Sequence, residues 1–128
     1  MTLEVLTRLS ATPSERPALL FIHGGFHGAW CWDEHFLPWF AARGWDSHAL
    51  SLRGHARCDD PNAVLSCSLA DYADDVKSVL RSLPRAAVLI GHSISGVIAQ
   101  MCFNDRVDHV AGAVLLASSP LRPAALNS

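Results

Sequence analysis

An α/β fold, a mostly parallel sheet with helices on both faces, is predicted by three features of this 128-residue sequence. Apolar runs of strand length recur at residues 18–22, 47–52, 87–90 and 110–117. A clear helical repeat lies between two of them, at 69–83. Half of the residues are hydrophobic and 17% are charged, a balance that suits strands covered on both sides and argues against disorder. Strands alternating with helices give βαβ units and hence parallel pairing. A chain of this length holds one domain with a real core, and no repeat or linker divides it.

Residues 2–9 alternate, placing Leu3, Val5, Thr7 and Leu9 on one face of a half-buried strand. Pro13, Ser14 and Pro17 mark a turn, and 18–22 is apolar throughout, as a central strand should be. A loop of glycines and aromatics fills 23–32. A helix is expected from about Asp33 to Arg43, stopped by Gly44; Pro38 lies inside that span, so the helix starts late or kinks. After the strand at 47–52 comes a polar loop through Arg53, Gly54, His55 and Asp60. In the helix at 69–83, Leu69, Tyr72, Ala73, Val76, Val79, Leu80 and Leu83 fall on a 3.6-residue period. Ser68 with Asp71 resembles a capping box, and Pro84 ends the helix. The strand 87–90, a helix through Phe103 and the strand 110–117 follow.

The net charge of −2 gives no footprint for nucleic acid or an anionic membrane. Every apolar run is broken too early to span a bilayer, and residues 1–10 lack a signal peptide's layout, so a cytoplasmic location is expected. Cys31, Cys58, Cys67 and Cys102 show no metal or redox spacing and read as reduced thiols. Nothing favours a bond between Cys58 and Cys67, and no cofactor or metal is called for.

The residues that carry chemistry lie at 88–97, Val-Leu-Ile-Gly-His-Ser-Ile-Ser-Gly-Val. An apolar strand ends in glycine, a serine follows two residues on, and small residues open a helix. This is a nucleophile elbow, which holds the Ser93 hydroxyl at the tip of a sharp strand-to-helix turn. A serine needs a base and a stabilised oxyanion before it is a useful nucleophile. The amide of Ile94, at the start of the helix, is one candidate donor. Gly25 or Phe26, in the loop after the strand 18–22, is the other.

The run 21–32, Phe-Ile-His-Gly-Gly-Phe-His-Gly-Ala-Trp-Cys-Trp, resembles the H-G-x-x-H-G-x-W-x-W loop of the α/β-hydrolase superfamily, in its methylesterase and hydroxynitrile lyase branch. Leu52-Arg53-Gly54-His55 is similar to the superfamily's L-R-G-H-G loop, and Gly91 to Gly96 to its G-H-S-x-G-G elbow. The resemblance implies the N-terminal portion of an α/β-hydrolase fold over 1–128. Ser93 would be the nucleophile, Gly25 and Ile94 the oxyanion donors with Phe26 the alternative for the first, and His27 a candidate substrate contact. A serine at the elbow points to a small-molecule acyl substrate such as a carboxylic ester, because dehalogenases and epoxide hydrolases of this fold carry aspartate there. Ser95 departs from the glycine usual at its position, and Ala56 and Cys58 from the glycine and serine usual after R-G-H.

The superfamily's triad acid and histidine are expected beyond the strand 110–117, so the chain reads as a partial domain, a fragment inactive alone. The strand 110–117 would then be an apolar edge, open to self-association. A lyase or cofactor-free oxygenation enzyme on the same scaffold, or a non-catalytic binding protein, are the alternative functions. Among the remaining residues, His92 reads as packed behind the turn and His23 as a hydrogen-bonding strut of the loop. His35, His48, His55 and His109 read as surface or structural, Trp30 and Trp32 as core anchors, and Asp71, Asp74 and Asp75 as a solvated helix face.

Overall fold

A computed structural model describes residues 3–56, 67–105 and 109–120. Five strands and four helices follow one another: β1 (Val5–Arg8), β2 (Ala18–Ile22), α1 (Trp30–Asp33), α2 (Phe36–Ala41), β3 (Ser47–Leu50), α3 (Leu69–Ser82), β4 (Ala87–His92), α4 (Ile94–Asn104) and β5 (Val110–Leu116). The sheet order is β1-β3-β2-β4-β5. β1 runs antiparallel to β3 and the other three pairings are parallel, so the mostly parallel sheet is as predicted.

Successive residues of β2 enter opposite cores, because side chains alternate across a strand. Ala18, Leu20 and Ile22 pack with Leu50 and Leu89 beneath α3 and α4. Leu19 and Phe21 pack with Ala49 and Ile90 against Trp32 and Leu37 of α1 and α2. β2 is thus buried on both faces and sits centrally, between β3 and β4. Its C-terminal end, and that of β4, therefore open at the same rim of the sheet, where ligand sites of such folds form.

The helix at 69–83 forms as α3, with both hydrogen bonds of the Ser68–Asp71 capping box present. The helix expected over 33–43 forms only as the shorter α2, and a separate short helix, α1, covers Trp30–Asp33, in the segment read as loop. Pro38 falls in the first turn of α2, where a missing N–H costs no helical bond, and Gly44 closes the segment at φ +93°. β1 corrects a further expectation. Leu6 packs onto the core beneath α2, whereas Val5 and Leu9 are exposed; β1 lies at the sheet edge, where one face has little to cover it. β5 lies at the other edge, and Val114, Leu115 and Leu116 are partly exposed.

Candidate active site

β4 runs to His92 and α4 begins at Ile94, so Ser93 makes the whole turn. Its backbone stands at φ 57°, ψ −124°, a region that costs a non-glycine residue about 1–3 kcal/mol and persists only where the surroundings impose it. They do so through both of its peptide groups. The Ser93 N–H donates to the Leu116 carbonyl at 2.9 Å, and its carbonyl accepts from the Gly96 N–H at 2.9 Å. Gly91 makes the turn sterically feasible: a Cβ there would stand 2.3 Å from the Ser95 carbonyl oxygen. Serine at the N-cap of a helix ordinarily turns its hydroxyl back onto the helix amides. Here the side chain makes no capping bond, and Ser93 is exposed. The twisted backbone keeps its hydroxyl away from the cap.

The loop after β2 closes over this turn. A Cβ placed on Gly24 would lie 2.8 Å from His92 Nδ1 and 3.5 Å from Ser93 Cβ, so loop and elbow are in van der Waals contact. His23 anchors the loop from below. Its Nε2 accepts the Leu52 N–H at 3.0 Å, which leaves the proton on Nδ1, donated to the Gly24 carbonyl at 2.7 Å. Burial, aided by the nearby His55 and His27, pushes its pKa down to about 4 and keeps the ring neutral. Ser95 Oγ donates to the His23 carbonyl, and the Ala29 N–H donates to Ser51 Oγ at 2.9 Å.

Gly25 and Phe26 are exposed beyond these anchors, with Phe26 at φ 61°. Ile94 is the first residue of α4, so its amide has no acceptor within the helix. Gly24, Gly25, Phe26 and Ile94 together line one cavity of about 160 Å³, completed by Leu52, His55, Tyr72 and Ile98. Both segments expected to supply oxyanion donors thus border the same space; Ser93, one residue before Ile94, is not itself among the residues lining it. His27 is not among the residues lining it; its exposed ring stacks on His92, centroids 6.3 Å apart, and meets Trp30 edge-on.

Two expectations need correcting. Asp75 is no solvated carboxylate but 3% exposed. Its Oδ1 accepts from Arg53 Nε and Nη2 at 2.9 and 2.8 Å, and its Oδ2 from the Arg53 N–H at 2.8 Å. Arg53 Nη2 also reaches the Asp71 carbonyl. The clamp holds the loop that carries His55, whose Nδ1 bonds the Arg53 carbonyl at 3.0 Å and whose ring lies 5.0 Å from that of His23. A signal was present: position 75 falls on the apolar stripe, between Tyr72 and Val79, where a charge needs a partner. Trp30 is 59% exposed, whereas Trp32 is buried; four residues of helix turn only one of the two indoles into the core.

Other candidates fall where the residue types suggested or close to it. His35 and His109 are exposed, and His48 is buried against Thr7 Oγ1 at 2.9 Å. Among the described residues, ion pairs join none of His27, His55 or His92 to a carboxylate. Cys102 is buried, and Cys31 and Cys67 are half-buried; Cys58 and Asp60 lie outside the described residues.

Residues 19–128 match the sequence model of the alpha/beta hydrolase family. The chain belongs to this family. Among its relatives, a pFDCC methylesterase of Arabidopsis thaliana is 31% identical over 112 residues, which are 85% of this chain and 42% of that protein. The pheophorbidase of Raphanus sativus is 33% identical over 115 residues, 85% of this chain and 41% of the relative. Among hydrolase structures, that of Est816, an N-acyl homoserine lactone degrading enzyme, superposes with a TM-score of 0.71 at 29% identity, covering 91% of this chain and 42% of that one. The chain thus spans about two fifths of the length of these hydrolases. No helix among its described residues is long and apolar enough to cross a membrane.

Proposed function

We propose that this chain carries the nucleophile and the oxyanion donors of a serine hydrolase acting on a carboxylic ester or a similar acyl substrate. The observation that carries this reading is Ser93 itself, exposed and uncapped in a strained turn, one residue before Ile94, which borders a cavity together with Gly25. Similarity to a methylesterase and to a lactone-degrading enzyme supports the ester class.

Ser93 Oγ attacks the carbonyl carbon as its proton passes to a base, and the carbonyl electron pair moves onto oxygen. The Gly25 and Ile94 amides stabilise that oxyanion; a single donor in such a hole contributes about 2.7–4 kcal/mol. Collapse breaks the bond to the alcohol, which leaves protonated, and water then releases the acid from the acyl-enzyme. The base and the carboxylate that orients it are assigned to residues outside those described. A cytoplasmic setting is part of the reading, supported by the absence of metal or redox spacing among the four cysteines.

The test is ester hydrolysis by the full protein and by Ser93→Ala. The substitution should cost at least about 10⁴-fold in kcat, as loss of a catalytic serine does, with thermal stability unchanged. Undiminished turnover by Ser93→Ala would remove serine catalysis from consideration.

A further inference from the structure

We infer that Ser95 is a positioning residue, which ties the nucleophile's helix to the oxyanion loop and fixes the Gly25 N–H relative to the Ile94 N–H. The inference rests on the hydrolase reading above and deepens it.

Ser95 is fully buried, one residue past Ile94, where similar elbows carry glycine. Its hydroxyl donates to the His23 carbonyl, the first carbonyl beyond the end of β2. Glycine offers no such donor. A buried carbonyl left without one is destabilised, or draws in water and loosens.

The bond matters because His23 leads directly into the oxyanion loop. The His23 ring, fixed through the Leu52 N–H, donates to the Gly24 carbonyl, and that carbonyl also accepts the His27 N–H at 3.3 Å. The Gly24 carbonyl and the Gly25 N–H belong to one planar, trans peptide group. Two donors holding the oxygen inward therefore direct the Gly25 N–H outward. Two consecutive peptide planes are set in this way, the first by Ser95 and the second by the His23 ring. One end of the chain of bonds is α4, which carries Ile94. The other is the loop, which carries Gly25. The distance between the two donors is thus built into the fold, as preorganised stabilisation of an oxyanion requires.

The test compares p-nitrophenyl acetate with p-nitrophenyl thionoacetate, whose sulfur is a poor acceptor for an oxyanion hole, on the full protein. Wild type, Ser93→Ala, Ser95→Ala and Ser95→Gly are measured together with their melting temperatures. Ser95→Gly restores the residue usual in similar elbows and guards against a variant that does not fold. Both Ser95 variants should lower kcat for the oxoester about tenfold or more, less than the 10²–10³ of a lost donor. KM should stay within about twofold and the thionoester rate should change little, since the effect acts through an amide aimed at oxygen. Equal slowing of both esters, or no slowing, while Ser93→Ala is inactive, would overturn the role of Ser95 alone. Activity in Ser93→Ala, or no turnover of either ester by wild type, would overturn the hydrolase reading beneath it.

Discussion

Where β2, β4 and α4 converge, backbone groups that no strand or helix satisfies are tied to a separate segment. Ser93 is held by Leu116, His23 by Ser95, Leu52 by His23 and Ala29 by Ser51. Along β5 the picture reverses. Val114, Leu115 and Leu116 are about two fifths exposed, and a cavity of about 340 Å³ opens between their strand and Phe36, Phe40 and Trp45. β5 serves the site through one backbone carbonyl, that of Leu116, and hardly through its side chains. The contrast teaches that the strain at Ser93 is held by a local hydrogen-bonded frame with close steric limits, not by the bulk of the apolar surface. Substitutions in the frame should therefore cost far more than substitutions of larger residues on the open face.

The largest effect is expected at Gly91. Ala would drive a methyl group into the Ser95 carbonyl and should destabilise by about 3 kcal/mol or more, seen as an early thermal melt. Should Gly91→Ala melt with wild type, the turn is slacker than its geometry implies. A comparable loss is expected from pH. Unfolded, His23 titrates near 6.5; folded, near 4. Between those values the unfolded chain binds more protons, so stability is full above pH 6.5, drains as pH falls toward 4, and levels off below. The span corresponds to about 3 kcal/mol. His48, whose pKa is also lowered chiefly by burial, acts in the same sense. Denaturant midpoints from pH 7 to 4 check this, with His23→Gln reducing the slope.

Asp75→Ala would leave Arg53, only 22% exposed in its side chain, without its carboxylate partner. A loss of about 2 kcal/mol is expected, short of the 3–5 of a fully buried pair because water still reaches the guanidinium. Loosened packing of His55 should appear as faster amide exchange at residues 53–56. The smallest effect sharpens the comparison from the other side: Leu115→Ala should cost no more than about 1 kcal/mol, whereas Leu89→Ala, on the buried strand beside it, should cost about 3. Equal costs would mean that the open face is packed as tightly as the buried strand beside it.

The parts of the molecule readable in advance are those governed by local chemistry. The apolar run at 18–22 reads as a doubly covered strand, and Ser68 with Asp71 as a capping box, and both form. The G-x-S pattern at 91–93 specifies a turn because a Cβ at 91 has nowhere to go. What stayed hidden depends on neighbours distant in sequence. The place of Asp75 on the apolar stripe signals that it needs a partner, but which one stays hidden until Arg53, 22 residues away, folds onto it. The face that β1 buries depends on its antiparallel register with β3, which no pattern within residues 2–9 encodes. The extra short helix at Trp30–Asp33, ahead of α2, follows from the way Trp32 and Leu37 seat on the sheet, again a tertiary demand. Ser95 was visible as a departure from glycine, but its bond to His23 spans 72 residues and has no trace in the local sequence.

The most direct measurement is mass spectrometry of the full protein after reaction with a fluorophosphonate, which phosphonylates an activated serine as fluoride departs. A single adduct on the peptide containing Ser93, absent from Ser93→Ala, is the expected result. An unmodified, folded protein, or an adduct on any other residue, would contradict the assignment of Ser93 as nucleophile.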